Sequence, residues 1–483
     1  MSINPEVDNV ALSVKEANDL MKIAYESQKI FADFDQAKVD RIVENMARVG
    51  YENARRLAYM AVDESKIGVG EDKIIKNQFA TKNVYEYIKD LRTAGIISED
   101  KEKGIIEIAA PMGVVIGIVP TTNPTSTILY KAIISLKARN SIVFSPHPRA
   151  IKCSMEAARL MEEAAVEAGA PKGLVNCLSI CTIEATNVLM HHPQAAVILA
   201  TGGSAMVKAA YSSGTPAYGV GPGNVPAFIE RSADIPDAVE KIFFSKTFDN
   251  GTICASEQAI VAEAIIAEQV KAEVKKRGGY FVSGAELAAL EKTVIQPNGG
   301  VNPKVVGQTP KTIAELAGIK IPDGTRILIG DVKGVGKEYP LSAEKLCPVL
   351  AFYVEKDWHS ACERCIELLN YGGLGHSISI HSNNDQIIRE FGLKKPVLRI
   401  LVNTPSSLGG IGSTTGLAPA LTLGCGTWGG SITSDNVTPL HLINRKRIAY
   451  DLGGKVKKDD NKVLNYYYTR AEILKAIEQI IKT

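Results

Sequence analysis

The sequence is poor in cysteine, carries almost no net charge and contains no long apolar run. Eight cysteines in 483 residues are too few for a disulfide-stabilised secreted domain, so we expect reduced thiols. Lysine and arginine (55) nearly balance aspartate and glutamate (53), and a net charge of +2 leaves no basic excess for nucleic-acid binding. The longest apolar runs, such as Val114 to Val119, are strand-sized, whereas a membrane-spanning helix needs ~20 residues. We therefore expect neither nucleic acid nor a membrane as a partner.

The amino terminus, MSINPEVDNV, carries the acidic Glu6 and no apolar stretch follows it, which is not the pattern of a secretory signal. We expect a cytoplasmic protein. Cys362 and Cys365 form a single C-x-x-C in a predicted helix, which favours two partly buried cysteines over a zinc site. We expect no metal. The chain is too long for one hydrophobic core and predicts two or three domains.

The apolar pattern predicts an α/β protein. Residues 13–67 have helical periodicity, and helices are also expected at 125–138 and 149–168. Strands are predicted at 104–111, 113–120, 141–144, 174–178, 196–200, 258–261, 349–353, 377–381 and 398–402. Strands that alternate with helices indicate βαβ units and a parallel sheet.

The segment after about residue 450 differs in composition. GGKVKKDDNK is polar and is expected to be a linker, and the following helix has one apolar face, made by Ile473, Leu474, Ile477, Ile480 and Ile481. We expect this helix to dock on its own protein or on a neighbouring subunit. An exposed docking peptide is the alternative.

The segment SKTFDNGTICASEQ, residues 245–258, draws attention to Cys254. This cysteine follows a glycine-containing turn and precedes an apolar strand, a context that can place a thiol at a pocket wall beside backbone N–H groups. A cysteine is a good nucleophile where local dipoles or cations favour its thiolate. Composition alone would favour an inert buried thiol, so the choice rests on the surrounding residues.

Five stretches together resemble one family, and the resemblance runs from about residue 10 to about residue 450. The stretches are IVPTTNPTSTILYKAIISLKARNSIVFSPHPRA (118–150), ILATGGSAMVKAAYSSGTPAYGVGPGN (198–224), KTFDNGTICASEQ (246–258), GLGHSISIHSNND (373–385), and LVNTPSSLGGIG with LTLGCGTWGGS (401–431). They are similar to the CoA-acylating aldehyde dehydrogenases, including the aldehyde dehydrogenase half of bifunctional aldehyde–alcohol dehydrogenases.

The resemblance implies the aldehyde dehydrogenase fold, with a parallel-sheet Rossmann-like cofactor domain, an α/β catalytic domain and a small β oligomerisation extension. We expect the dinucleotide-binding domain at 1–92 and 113–240, the catalytic domain at 241–422, and the extension at 93–112 and 423–453. Residues 454–483 would be the linker and terminal helix. A homodimer or homotetramer is expected, and an alcohol dehydrogenase or a microcompartment shell is a further candidate partner.

The resemblance also assigns catalytic roles. Cys254 would attack the aldehyde, and the side-chain amide of Asn123 with the Cys254 N–H would hold the developing oxyanion. One departure is the spacing Pro120-Thr-Thr-Asn123, since hydrolytic relatives have one residue between proline and asparagine. His376 is a candidate to deprotonate the CoA thiol, or else a structural histidine.

The expected cofactor is NAD, with NADP left open. Glu344 would bind the nicotinamide ribose, and the Gly202-Gly203-Ser204 turn would let the backbone and a helix N-terminus approach the phosphates. The resemblance places the remaining cofactor contacts at Thr121, Ser145, His147, Arg149, Val220 and Gly221.

An absence distinguishes the acylating from the hydrolytic reaction. Hydrolytic relatives carry a glutamate that activates water for deacylation, and Gly219 stands at that position here. The thioacyl group would then wait for CoA, and the product would be an acyl-CoA. Acetaldehyde is the first choice of substrate; succinate semialdehyde, propionaldehyde and sulfoacetaldehyde are alternatives. A hydrolytic enzyme and a non-catalytic structural relative are the other hypotheses.

Overall fold

A computed structural model describes residues 5–452, and this part contains fifteen strands in three sheets. The strands are β1 (Gly95–Asp100), β2 (Ile105–Pro111), β3 (Val114–Ile118), β4 (Ser141–Ser145), β5 (Val175–Cys177), β6 (Ala195–Thr201), β7 (Ala217–Val220), β8 (Val225–Ile229), β9 (Glu257–Glu263), β10 (Gly279–Val282), β11 (Ile327–Asp331), β12 (Val349–Glu355), β13 (Ile378–His381), β14 (Ile400–Val402) and β15 (Ile443–Ala449).

Sixteen α-helices lie in the same described range. They are α1 (Pro5–Phe31), α2 (Gln36–Glu52), α3 (Ala54–Ser65), α4 (Gly70–Gln78), α5 (Val84–Ile88), α6 (Pro124–Lys137), α7 (Ile151–Glu167), α8 (Ile183–His191), α9 (Ser204–Ser212), α10 (Ile235–Thr247), α11 (Ala267–Lys276), α12 (Ala285–Val294), α13 (Pro310–Ala317), α14 (Trp358–Tyr371), α15 (Asp385–Lys394) and α16 (Ser406–Gly410). A π-helical turn, Phe79–Asn83, joins α4 to α5.

The first sheet is parallel, with strand order β5-β4-β3-β6-β7. Its central strand β3 is buried along its whole length, as expected for a β-branched run covered on both faces. Val115 faces a core shared with α2, α6 and α7, and the adjacent Ile116 faces a second core shared with α1 and α8. The sheet is therefore doubly wound, with helices on both faces.

The second sheet has seven parallel strands in the order β10-β11-β12-β9-β8-β13-β14. Helices α10 and α11 pack on one face, and α12, α13, α14 and α15 pack on the other. The change from the first sheet to the second falls at residues 221–224, ahead of the domain boundary expected at 240, because β8 pairs with β9 and β13. The domain division as a whole stays a prediction.

A small antiparallel sheet, β1-β2-β15, stands apart from the two parallel sheets. It joins residues 95–111 to 443–449, two segments that were expected to form one extension. Six of the seven residues of β15 are exposed. The expected α/β architecture, with parallel sheets and a small β extension, is confirmed.

The predicted strands all occur, several of them with shifted ends. Residues 398–402 form a strand only at Ile400–Val402, and the helix expected from 149 begins at Ile151 after a 3₁₀ turn. The sequence did not predict β1, β7, β8, β10, β11 or β15. The first five have four to six residues, too few for an apolar alternation to stand out, and β15 is exposed at six of its seven residues.

Cys362 and Cys365 are both free thiols in α14, and they are buried rather than partly buried. Within residues 5–452, no group of three or more His, Cys, Asp or Glu side chains is arranged to hold a metal ion. None of the helices in that range is long and apolar enough to cross a bilayer. The predicted terminal helix lies outside the described residues.

Candidate active site

A cleft of about 430 Å³ opens at the carboxyl ends of β3, β6 and β7. The strand order reverses at this edge. Strands β4 and β5 lie on one side of β3, and β6 and β7 lie on the other side. Ligands of open parallel sheets bind at such a point. The opposite wall comes from the residues just before β9, from Glu344 and Leu346, and from residues 411–423.

Cys254 is carried into the cleft by an unusual turn. Asp249, Asn250 and Gly251 have successive φ values of 49°, 52° and 72°, a left-handed backbone that Asp, Asn and Gly tolerate best. The turn reverses the chain between α10 and β9 and leaves Cys254 half-buried in the cleft wall. The left-handed turn therefore explains the sequence DNG shortly before the cysteine.

The thiol of Cys254 is held in its protonated form in the resting protein. Burial and, to a lesser extent, the nearby Glu344 carboxylate together raise the pKa of Cys254 to about 12. A thiolate is the reactive species. Positive charge near the sulfur, or loss of the Glu344 charge, would shift Cys254 toward the thiolate.

Asn123 lies in the same cleft, at the residue before α6. Its side chain does not cap the helix, although asparagine is a favoured N-cap residue. The Oδ1 atom accepts a hydrogen bond from Lys76 Nζ at 2.6 Å, and Nδ2 donates to Thr122 Oγ1 at 3.1 Å and to Thr252 O at 3.4 Å. The amide N–H₂ is thus directed toward the loop that carries Cys254.

A buried ionic cluster beneath Asn123 was not foreseen from the sequence. Lys73 and Lys76, one turn apart on α4, bind Asp249 Oδ2 at 2.8 and 2.5 Å. Although burial would raise the pKa of Asp249, the two ammonium groups lower it, and burial lowers the pKa of Lys76 to about 8. The i, i+3 spacing of the lysines was visible, but nothing in it indicated a partner 173 residues away.

Glu344 is the one acidic side chain among the residues lining this cleft. Its Oε1 accepts a hydrogen bond from the Gly223 N–H at 2.8 Å, in the short connection between the two parallel sheets. Burial raises the pKa of Glu344 to about 7. It lies in an irregular segment after a 3₁₀ turn.

The predicted phosphate contacts lie at the start of α9. Gly203 occupies the N-cap position and supplies no side-chain cap, so the first N–H groups of the helix stay available. Gly202 and Gly203 line the cleft, and a Cβ at Gly203 would meet no atom within 4 Å, which leaves open space above the turn. Ser204 begins the helix and is exposed.

The other predicted cofactor residues cluster on the same side. Thr121, His147, Arg149, Val220 and Gly221 all line the cleft. Ser145 lines an adjoining cavity of about 160 Å³ that also contacts His147, Gly202 and Gly203, and its hydroxyl lies 2.8 Å from that of Thr186. Burial, and then the charge of Arg149, lower the pKa of His147.

His376 is not brought to the cleft wall. Its ring is fully buried behind Gly223, Nδ1 lies 3.0 Å from Ser377 Oγ, and Nε2 has no hydrogen-bond partner. Burial and the charge of Arg399 lower the pKa of His376 to about 3. Its role toward CoA stays a prediction, and this geometry does not support it.

The position of Gly219 has no room for a side chain. A Cβ there would lie 2.7 Å from Val207 Cγ1 and 2.8 Å from the ring of Tyr211. The Tyr211 hydroxyl accepts a hydrogen bond from the Gly219 N–H at 2.8 Å. Tyr211 thus occupies the space that a side chain at 219 would need.

The site therefore combines a thiol, an amide donor in the same cleft, a helix N-terminus with glycines, and one carboxylate. The aldehyde dehydrogenase family model matches residues 5–318. The chain is 45% identical over 479 residues to the bifunctional aldehyde-alcohol dehydrogenase of Escherichia coli, a match that covers 97% of this chain and 53% of that relative. The chain spans about half the length of the curated relatives it matches first.

Solved structures agree with the fold. An acetylating aldehyde dehydrogenase from Geobacillus thermoglucosidasius has a TM-score of 0.90 and 52% identity, over 92% of this chain and 98% of that one. A propionaldehyde dehydrogenase from Rhodopseudomonas palustris with bound propionyl-CoA has a TM-score of 0.81 and 29% identity, over 90% and 94%. The chain belongs to the aldehyde dehydrogenase family, which confirms the resemblance read from its motifs.

Proposed function

We propose that the protein is a CoA-acylating aldehyde dehydrogenase that uses Cys254 as its nucleophile. The observation that carries this proposal is that Cys254 and Asn123 line the same cleft, and that Tyr211 occupies the space that a side chain at position 219 would need. The cleft thus has a nucleophile and an oxyanion donor, but no carboxylate at the position from which hydrolytic relatives activate water. The relatives described as acetylating or holding propionyl-CoA support the same reaction class.

The residues define the chemical steps. The Cys254 sulfur adds to the aldehyde carbon, and the oxyanion receives hydrogen bonds from Asn123 Nδ2 and the Cys254 N–H. A nicotinamide dinucleotide, when bound, supplies the hydride acceptor that converts the adduct to a thioester. The CoA thiol then attacks the acyl carbon and the same two donors hold the second oxyanion. Cys254 leaves as thiolate and takes up the proton released by the CoA thiol. The reverse sequence reduces an acyl-CoA to the aldehyde.

The described residues fit such a cofactor. The uncapped start of α9 and the open space at Gly203 suit a pyrophosphate. Glu344 suits ribose hydroxyls, because a carboxylate accepts two hydrogen bonds. Arg149 is exposed at the cleft and would meet a 2′-phosphate, which keeps NADP as the second proposed cofactor after NAD.

The apolar wall around Cys254 favours a small uncharged acyl group. Ile253, Ile411, Leu421 and Leu423 line this part of the cleft. The basic group beside them, Lys76, is already bound to Asp249 and Asn123. Acetaldehyde and acetyl-CoA are therefore the proposed substrates ahead of propionaldehyde, and both stand ahead of the anionic succinate semialdehyde and sulfoacetaldehyde.

A hydrolytic reaction is the second candidate, and one observation favours it. Glu344 lies in the same cleft as Cys254 with a pKa near 7, which suits a general base at neutral pH. NADH formation from an aldehyde panel, measured with and without CoA, separates the two functions. We expect turnover to depend on CoA and to be lost in Cys254→Ala. Rapid NADH formation without CoA would overturn the acylating assignment.

The three-stranded sheet is proposed as the oligomerisation surface of a homodimer or homotetramer. Its edge strand β15 exposes most of its residues, and its backbone can pair with another strand. Light scattering that gives a monomer, or long polymers, would contradict this. An alcohol dehydrogenase partner and a place inside a microcompartment are proposed from the relatives, and a place in the cytoplasm is proposed from the sequence.

A further inference from the structure

We propose that Lys76 is a positioning residue for the oxyanion site, because its ammonium group fixes which end of the Asn123 amide faces the nucleophile. The inference rests on the proposed role of Asn123. Lys76 belongs to α4, an N-terminal helix that carries none of the predicted site residues, yet its Nζ lies 2.6 Å from Asn123 Oδ1.

An asparagine amide can occupy its site in two orientations that exchange the oxygen and the nitrogen. An ammonium group has three donors and no acceptor, so only the amide oxygen can face it favourably. With Oδ1 against Lys76, Nδ2 points to Thr252 O, two residues before Cys254. The reversed amide would set N–H₂ against the ammonium group and would present a carbonyl to the oxyanion.

All three hydrogen-bond donors of the Lys76 ammonium group are used within the protein. Its three donors have three acceptors: Asn123 Oδ1, Asp249 Oδ2 at 2.5 Å and Thr252 Oγ1 at 2.9 Å. Its side chain is 2% exposed and Asp249 is fully buried. Because no donor is left over, Lys76 acts on the amide and not as a free cation for the substrate.

The surrounding contacts make the arrangement rigid. Asp249 Oδ1 accepts from the Val69 N–H at 2.6 Å, and Oδ2 also accepts from Thr252 Oγ1 at 2.7 Å and Lys73 Nζ at 2.8 Å. The amide orientation is therefore set before substrate arrives. Preorganised donors of this kind contribute strongly to catalysis, and losing one costs roughly 10²- to 10³-fold in kcat.

The matched pair Lys76→Met and Lys73→Met tests the idea. Both lysines are buried on α4 and bind the same carboxylate oxygen, but Lys73 contacts the Thr122 carbonyl and not Asn123. Each variant leaves Asp249 paired with the remaining lysine. We expect Lys76→Met to lower kcat at least about 10-fold, with the KM for NAD changed less than about twofold, and Lys73→Met to fall much less. Equal losses in both variants would overturn the inference.

A double-mutant cycle with Asn123→Ala separates a positioning role from a general structural one. If Lys76 acts through the amide, Lys76→Met should cost nothing further once Asn123 is alanine, so the losses are not additive. Additive losses would refute the inference. If Asn123→Ala alone keeps full activity, the proposed oxyanion role fails instead.

Lys76→Gln repeats the cycle should the methionine variant unfold. Glutamine presents both a donor and an acceptor, so it does not dictate the amide orientation. We expect the same non-additive loss of kcat, and a glutamine variant with full activity would contradict the argument.

Discussion

Replacing Gly219 by alanine tests whether packing around residue 219 excludes a side chain there, and with it the carboxylate of hydrolytic relatives. The added Cβ would lie 2.7 Å from Val207 Cγ1 and 2.8 Å from Tyr211 Cε2, closer than non-bonded carbon atoms in proteins approach. Overpacking of this kind costs typically 1–3 kcal/mol. We expect Gly219→Ala to lower the free energy of unfolding by about that amount in urea denaturation.

Gly221→Ala is the matched control. Gly221 lies two residues further on, and a Cβ there would meet no atom within 4 Å. Neither glycine has a positive φ, so backbone strain does not separate them. Gly221→Ala should leave stability unchanged or raise it by up to ~1 kcal/mol, through the lower entropy of the unfolded chain.

The functional half of the test uses Gly219→Glu. This substitution restores the carboxylate of hydrolytic relatives, but Tyr211 stands in its path, so we expect no gain of CoA-independent NADH formation. Gly219→Glu combined with Val207→Ala and Tyr211→Ala, which removes both obstructing side chains, should gain it. The reasoning is refuted if Gly219→Ala is as stable as Gly221→Ala, or if Gly219→Glu alone releases the acid rapidly.

Three further predictions follow from the buried carboxylates and from Arg149. Burial raises the pKa of Glu257 from 4.5 to about 7 and leaves its Oε2 without a partner, so the folded state favours the protonated form. The free energy of unfolding should therefore fall by about 3 kcal/mol as the pH rises from about 4.5 to 7. Urea titrations of Glu257→Gln should lack that fall. Removing the charge of Glu344 lowers the pKa of the Cys254 thiol, so Glu344→Gln should be alkylated faster at Cys254 without cofactor and should show a raised KM for NAD; slower labelling would contradict the electrostatic argument. Arg149→Ala should lower the preference for NADP relative to NAD in steady-state assays, and an unchanged ratio would remove Arg149 from the cofactor site.

The sequence predicted the parallel sheets and much of the cleft because those features depend on local patterns. Strands such as β3 and β6 are uninterrupted apolar runs, and the glycine turn at 202–203 directly follows one of them. Cys254 and Asn123 were found through motifs that the family shares. Short strands such as β10 lacked any such pattern and were missed.

The ionic support of the cleft could not be predicted in the same way. Lys76 lies outside every segment that the sequence singled out, and its burial depends on a turn that is distant in sequence. The buried position of His376 was equally hidden, because GGLGHS does not reveal whether the imidazole points into the cleft or behind Gly223. The burial of Lys76 and the orientation of His376 both depend on contacts between residues far apart in the sequence, which local patterns in one sequence do not reveal.

The attachment of α4 to Asp249 limits how far this protein could be shortened. A version that began near residue 93 would keep both parallel sheets, Cys254 and Asn123. It would lose Lys73 and Lys76 together and would leave the carboxylate of Asp249, in the loop that carries the nucleophile, without its two ammonium partners. Removing the partners of a buried charge costs on the order of 3–5 kcal/mol. The N-terminal helices are thus part of the smallest unit that an enzyme engineer could transplant.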